Sequence, residues 1–195
     1  MTLKEIFNMG IGPSEELEKI IDICEKNSDY CLIGGLALNS YIEPVFTADA
    51  DFVISADNID QLKDAFKKAG FKFKKNRYDI EISFPESALK VHLTYDERYR
   101  DFAKNAKPGK LFNEIDVKIA DIKDLIKGKS WAFADPARKF SKRTKDKLDL
   151  IRIHEEIPLV RGLLPDEILE EIEKQTVKII REDPLDLKKK TSLKI

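Results

Sequence analysis

Tyr30 to Ile33 is a run of four apolar residues that opens directly into Gly34-Gly35. Residues 36–42 then resume with apolar residues available for helical packing, and Pro44 stops them. A short strand that ends in two glycines and feeds a helix is a tight bend, because only residues without a Cβ let other groups approach the backbone that closely. Beyond Pro44 comes Thr47-Ala48-Asp49-Ala50-Asp51, continuing into apolar residues up to Ile54. Side chains alternate across a strand, so a strand over 51–55 would carry Asp49 and Asp51 at its start, on one face. Two carboxylates held that close repel unless a cation lies between them or one takes up a proton.

The remaining pattern surrounds this bend with alternating elements. Ser14, Glu15 and Glu16 can open a helix, and Leu17, Ile20, Ile21 and Cys24 recur along it at helical spacing. Residues 57–69 form an amphipathic helix stopped by Gly70. Three strands are expected over 71–74, 79–84 and 89–94, the middle one alternating Ile80, Ile82 and Phe84 with Asp79, Glu81 and Ser83. Residues 96–106 look helical, 107–110 a turn, and a short hairpin follows through Phe112 and Val117. From Ala120 the character changes to three helices, over 121–134, 141–156 and 165–181, separated by Pro136 and Pro158. The expected fold class is α+β: a mixed sheet flanked by helices over 1–119, then a helical C-terminal part over 120–195 with a mobile basic tail from about 187.

Charged residues make up 36% of the chain, but the apolar residues stay periodic, so the charge marks solvated helices rather than disorder. The net charge of −1 gives no global reason to bind nucleic acid or membrane. No apolar run approaches membrane length, and Cys24 and Cys31 lack metal-type spacing, which together predict a soluble protein of the reducing cytoplasm with no membrane partner.

A strand that ends in Gly34-Gly35 and feeds a helix offers backbone N–H groups at the positive helix end, a natural seat for phosphate. Asp49 and Asp51 can hold Mg²⁺, which favours carboxylates together with phosphate oxygens and water. Together these parts describe phosphoryl chemistry on a nucleoside triphosphate, and a second metal could activate an attacking hydroxyl.

In this order, Gly34-Gly35, the short helix and Thr47-Ala48-Asp49-Ala50-Asp51 resemble the nucleotidyltransferase superfamily that includes polymerase beta. Within it, residues 124–150 are most similar to AbiEii-type proteins, the toxins of type IV toxin–antitoxin systems. That family pattern of a Lys and an Ala three residues on fits Lys129 and Ala132, and its basic-Asp-x-x-Asp pattern fits Lys145, Asp146 and Asp149. The resemblance spans about residues 30–155. It implies that Gly34, Gly35 and Thr47 bind the nucleotide, that Asp49 and Asp51 are metal ligands and catalytic, and that Lys129 neutralises triphosphate charge. Asp146 would then orient Lys129 or the nucleotide. The implied reaction moves a nucleoside monophosphate from the triphosphate to an acceptor hydroxyl, releasing pyrophosphate. The acceptor would be a tRNA 3′ end, a protein or a small molecule such as an aminoglycoside, and an antitoxin would be a partner.

The chain departs from the superfamily at three points. Gly35 stands where many members have Ser, and Val45 where an Arg is common. His92 stands where a third carboxylate is expected, with Glu81 and Asp79 on the neighbouring strand as replacements. These departures keep a second reading open, a nucleotide- or partner-binding module of the same fold with little or no turnover. A plain interaction protein whose aspartates bind no metal is a third.

Overall fold

The computed structural model describes residues 5, 14–47, 49–84, 87 and 89–182, and side chains over most of that range. The tail expected to be mobile from 187, Ala48, and the side chain of the expected cap Ser14 lie outside the described residues. By its internal packing the chain divides into two compact units, Met1–Gly128 and Lys129–Ile195.

In chain order the helices and strands of the first unit are α1 (Ser14–Asn27), β1 (Tyr30–Ile33), α2 (Gly34–Leu38), β2 (Asp49–Ile54), α3 (Ile59–Lys68), β3 (Lys72–Lys75), β4 (Asp79–Ser83), β5 (Lys90–Thr94), α4 (Phe102–Asn105), β6 (Lys107–Leu111) and β7 (Ile115–Ile119). The helix α5 (Ile122–Ala134) follows and contains the division between the units; α6 (Phe140–Glu156) and α7 (Asp166–Glu182) belong to the second.

All seven strands form one mixed sheet in the order β3-β4-β5-β2-β1-β7-β6. β2 is antiparallel to β1 and parallel to β5, and β1 is parallel to β7. The α+β fold that the periodicity predicts is therefore present, as a mixed sheet flanked by helices.

The sheet has one apolar face because the alternation stays in register across three strands. Ala50 and Phe52 on β2, Val91 and Leu93 on β5, and Ile80 and Ile82 on β4 are all fully excluded from solvent. Leu17 and Ile20 of α1 and Leu62 and Phe66 of α3 add to the same unit's core. Each such large side chain contributes about 1.5–3 kcal/mol on burial. The residues between them on β2, β4 and β5, Asp49, Asp51, Asp79, Glu81, His92 and Thr94, remain half-buried on the opposite face.

Three expectations are corrected. Residues 107–110 are not a turn but most of β6, an edge strand, where Pro108 is tolerated because it need donate no ladder hydrogen bond on its open side. The turn lies after it, at Phe112 and Asn113, both with positive φ. Residues 96–106 are not one helix: Asp96 caps a 3-10 turn at Glu97–Tyr99, and α4 starts separately at Phe102. The Phe102 ring, 1% exposed, packs edge-on to Tyr99 at 4.9 Å, and its burial decides the break. Finally, the helix after the glycines spans Gly34–Leu38 and so begins at the first glycine rather than at Leu36.

Candidate functional site

Gly34 is the residue on which the site turns. It has φ +72°, a backbone conformation only glycine adopts without strain. It directly follows Ile33, which pairs with Asp51 across the antiparallel β1–β2 ladder. A Cβ built on Gly34 would lie 2.3 Å from Asp51 Oδ2 and 3.0 Å from its Cγ, so the Asp51 carboxylate occupies the space that a side chain would fill. A Cβ on Gly35 would meet Thr47 Oγ1 at 3.2 Å. The bend is thus lined by Asp51 and Thr47, and Thr47 is among the few buried polar residues.

Asp49 stands two residues before Asp51 inside β2; both side chains are half-buried, and Ala50 between them and Phe52 after them are fully buried. Strand alternation therefore puts the two carboxylates on one face, the face opposite the apolar core. No side chain caps the N-terminus of α2.

The approach from α2 to β2 is held by a residue that the sequence does not single out. Asn39 donates from Nδ2 to the Val45 carbonyl at 2.9 Å and accepts from the Val45 N–H at 3.1 Å. This two-way clasp fixes the loop just before Thr47. Its signal is long-range within the loop, so no local motif reveals it. The Tyr41 hydroxyl donates to the Ala120 carbonyl at 2.9 Å and anchors the same loop to the end of β7.

Across the sheet, Asp51 is in register with His92 on β5, and His92 with Glu81 on β4. His92 Nδ1 lies 3.7 Å from Asp79 Oδ2. The position expected to carry a third carboxylate is therefore occupied by His92, with both replacement carboxylates beside it. Among the described residues, no group of three or more His, Cys, Asp or Glu side chains converges as a metal site. A cavity of about 230 Å³ lies at the other end of β2, lined by Val53, Ser55, Asp96 and Arg100 among others, and includes neither aspartate.

The second unit holds the other predicted residues. Lys129 Nζ lies 3.0 Å from Asp146 Oδ1 and 2.6 Å from Asp149 Oδ2, with the lysine 13% exposed and the aspartates 3% and 5%. Arg138 Nε donates to Asp146 Oδ2 at 2.8 Å, and Arg152 Nη1 lies 3.6 Å from Asp149 Oδ1. Burial pushes the Lys129 ammonium toward deprotonation, but the charges of Asp149 and Asp146, and hydrogen bonds to them, outweigh it and hold the pKa above the ordinary lysine value. Arg143 closes the end of α5, donating from Nε to the Phe133 carbonyl at 2.7 Å. Asp146 and Asp149 are thus internal ligands of a cationic cluster, and Lys145, the basic residue of the sequence pattern, is exposed. Asp149, as much a member of this cluster as Asp146, is marked in the sequence only by the spacing of the family pattern, and Arg138 is not marked.

The predicted site residues accordingly form two groups. Gly34, Gly35, Thr47, Asp49 and Asp51 gather in the first unit, Lys129 and Asp146 in the second.

The chain's architecture has known counterparts. A solution structure of the antibiotic-resistance factor ANT(2'')-Ia matches with a TM-score of 0.53 at 11% identity, over 85% of this chain and 94% of that one. A crystal structure of ANT(2'')-Ia in complex with adenylyl-2''-tobramycin gives 0.52 at 14%, over 76% and 92%. The chain has the nucleotidyltransferase fold. An antigenic nucleotidyltransferase-like protein from Paracoccidioides brasiliensis matches at 0.51 and 19%, over 85% and 91%. No family model and no curated protein matches the sequence. Similarity at this level of identity carries the fold, and the chemistry rests on the residues above.

Proposed function

We propose that this protein is a Mg²⁺-dependent nucleotidyltransferase that moves a nucleoside monophosphate from a nucleoside triphosphate to an acceptor hydroxyl. The observation that carries this reading is the Asp51 carboxylate seated against the bare Cα of Gly34, with Asp49 on the same strand face. Hard oxygen donors in this pair fit Mg²⁺, and Asp49 and Asp51 would hold it. The metal would supply positive charge to the triphosphate. Gly34 and Gly35 would let the phosphates approach the backbone, and the Thr47 hydroxyl would hydrogen-bond the nucleotide.

In the reaction, the acceptor oxygen forms a bond to the α-phosphorus and the bond from that phosphorus to its bridging oxygen breaks. Pyrophosphate leaves with the bridging oxygen, and the acceptor proton passes to a base on the polar face of the sheet. Transfer of this kind depends on positioning and charge stabilisation. ANT(2'')-Ia in complex with adenylyl-2''-tobramycin is a fold relative that supports nucleotidyl transfer as the chemistry. The test is incubation of cell extract with α-labelled triphosphates and either wild-type protein or Asp51→Asn; equal labelling by both would refute the reading.

The likeness of residues 124–150 to AbiEii-type proteins extends the proposal to a cytoplasmic toxin with an antitoxin partner. Overexpression should then arrest growth and Asp49→Ala should relieve the arrest. His92 at the third carboxylate position favours one rival, a nucleotide-binding module without turnover. Calorimetry that finds Mg²⁺-dependent triphosphate binding without pyrophosphate release would select it.

A further inference from the structure

Residues 67–77 contain six basic side chains, Lys67, Lys68, Lys72, Lys74, Lys75 and Arg77, and no acidic one, in a chain of net charge −1. They form the end of α3, the edge strand β3 and the turn into β4. Lysine on an edge strand also keeps other sheets from pairing with it, and β3 alone would meet that need. The basic run extends past the strand at both ends, however, and it ends in an aromatic platform. The Arg77 guanidinium stacks 4.9 Å from the centre of the Tyr78 ring, and Tyr78 is 51% exposed.

That platform is built on a rigid turn. The Asn76 N–H donates to the Asp79 carbonyl at 2.8 Å, and the Tyr95 N–H to the Tyr78 carbonyl at 3.1 Å. The Tyr95 hydroxyl contacts the carbonyls of Asn76 and Arg77 at 2.6 and 3.0 Å, and Lys75 lies over the Tyr95 ring at 5.7 Å. Exposed cations beside a fixed, solvent-facing ring are what a flexible polyanion with flat bases requires. Among the described residues of the strand, Lys74 lies 3.7 Å from Glu81, in a pair that is largely exposed and so weak.

We infer that β3 and the Arg77–Tyr78 turn form a binding surface for single-stranded nucleic acid, its phosphates on the lysines and a base stacked on Tyr78. Register connects this surface to the candidate site. Lys74, Glu81, His92 and Asp51 stand in one row across β3, β4, β5 and β2, on one face. Three strand spacings separate the ends of that row by about 14 Å. A strand bound at the edge therefore lies within a few nucleotides of Asp51, and its terminal hydroxyl becomes the acceptor; this last step rests on the transferase reading, whereas binding does not. The lysines also disfavour a polycationic acceptor at this end of the face.

Fluorescence anisotropy of a labelled twelve-nucleotide single strand, without triphosphate or metal, tests the surface separately from the chemistry. Wild-type affinity should fall with salt at a logarithmic slope of about −3, as about four phosphate contacts require. Changing Lys72, Lys74 and Lys75 together to Ser should reduce that slope by about 2, and Tyr78→Ala should weaken binding about tenfold. Lys139→Ser with Lys142→Ser, in the basic segment 138–147 of the second unit, should change neither. Circular dichroism of these exposed variants reports folding. Equal binding by wild type and the triple variant, dependence on Lys139 and Lys142 instead, inorganic polyphosphate binding as tightly with no effect of Tyr78→Ala, or preference for phosphatidylserine vesicles would each overturn the inference. Binding that follows the prediction with no labelling of the strand by α-labelled triphosphate would leave the surface standing and count against the transferase reading.

Discussion

Substituting Gly34 with Ala tests the geometry of the site at its narrowest point. The added methyl would sit 2.3 Å from Asp51 Oδ2, far inside contact distance, while the backbone stays at φ +72°. Two costs follow. Holding a residue with a Cβ in the left-handed region costs about 1–2 kcal/mol. Driving the Asp51 side chain out of its rotamer to clear the methyl costs about 0.5–1.5 kcal/mol more. A loss of about 2–3 kcal/mol should lower the melting temperature of a unit this size by roughly 5–10 °C. Asp51 would also leave its place beside Asp49, so the rise in melting temperature produced by Mg²⁺ with a triphosphate in wild type should disappear. Gly35→Ala provides the contrast. Gly35 has no positive φ, and its Cβ would meet the Thr47 side chain, with Oγ1 at 3.2 Å, Cβ at 3.3 Å and Cγ2 at 3.4 Å, contacts relieved by a shift of a few tenths of an ångström. It should lose under about 1 kcal/mol and keep the ligand response. Thermal melts of the two variants with and without ligand make the comparison. If Gly34→Ala melts within 1 °C of wild type and retains the response, Asp51 is not constrained as described and the argument from the bend fails.

Lys129→Met should destabilise the second unit by about 3 kcal/mol in urea, because it leaves Asp146 and Asp149 buried with less positive charge; a change below 0.5 kcal/mol would show that Arg138 and Arg152 suffice. His92→Asp places a third carboxylate in register with Asp51 and should raise Mn²⁺ affinity several-fold by titration calorimetry, an unchanged or lower affinity counting against a metal at this face. Burial pushes the Cys24 thiol from 9.0 up to about 12, so the folded state holds its proton more tightly than the unfolded state. The stability this confers is complete below pH 9 and is lost as pH rises from 9 to about 12; urea midpoints should fall across that window, and less steeply in Cys24→Ala. At pH 8 the native protein should resist a thiol reagent that labels the urea-unfolded chain at once.

What the sequence reveals here depends on the range over which each constraint acts. The alternation of Asp79, Glu81 and Ser83 with Ile80 and Ile82 is local, and it locates β4 and its buried face. Asp49 and Asp51 share a face for the same reason. Pro108 and Gly109 misdirect the reading because they are turn residues in isolation; only pairing with β7 shows them as an edge strand. The helix expected over 96–106 is broken where Phe102 is buried within the unit beside half-buried Tyr99, which helical periodicity cannot report. Asn39 is invisible locally, since its two hydrogen bonds reach Val45 across a loop of no fixed pattern.

The row Asp51, His92, Glu81 and Lys74 is the furthest from local legibility, since three separate ladders must align before those four side chains become neighbours. It also explains why one face of the central strands can remain polar. The opposite face carries Phe52, Val91, Leu93, Ile80 and Ile82, all excluded from solvent, and supplies the burial that those strands need. The polar face is therefore free of the packing demand and can hold carboxylates that would be destabilising in a core. Asp51 occupies the space left by the missing side chain of Gly34. In the proposed reaction, a cation bound at Asp51 would offset the cost of placing an acid against that bend.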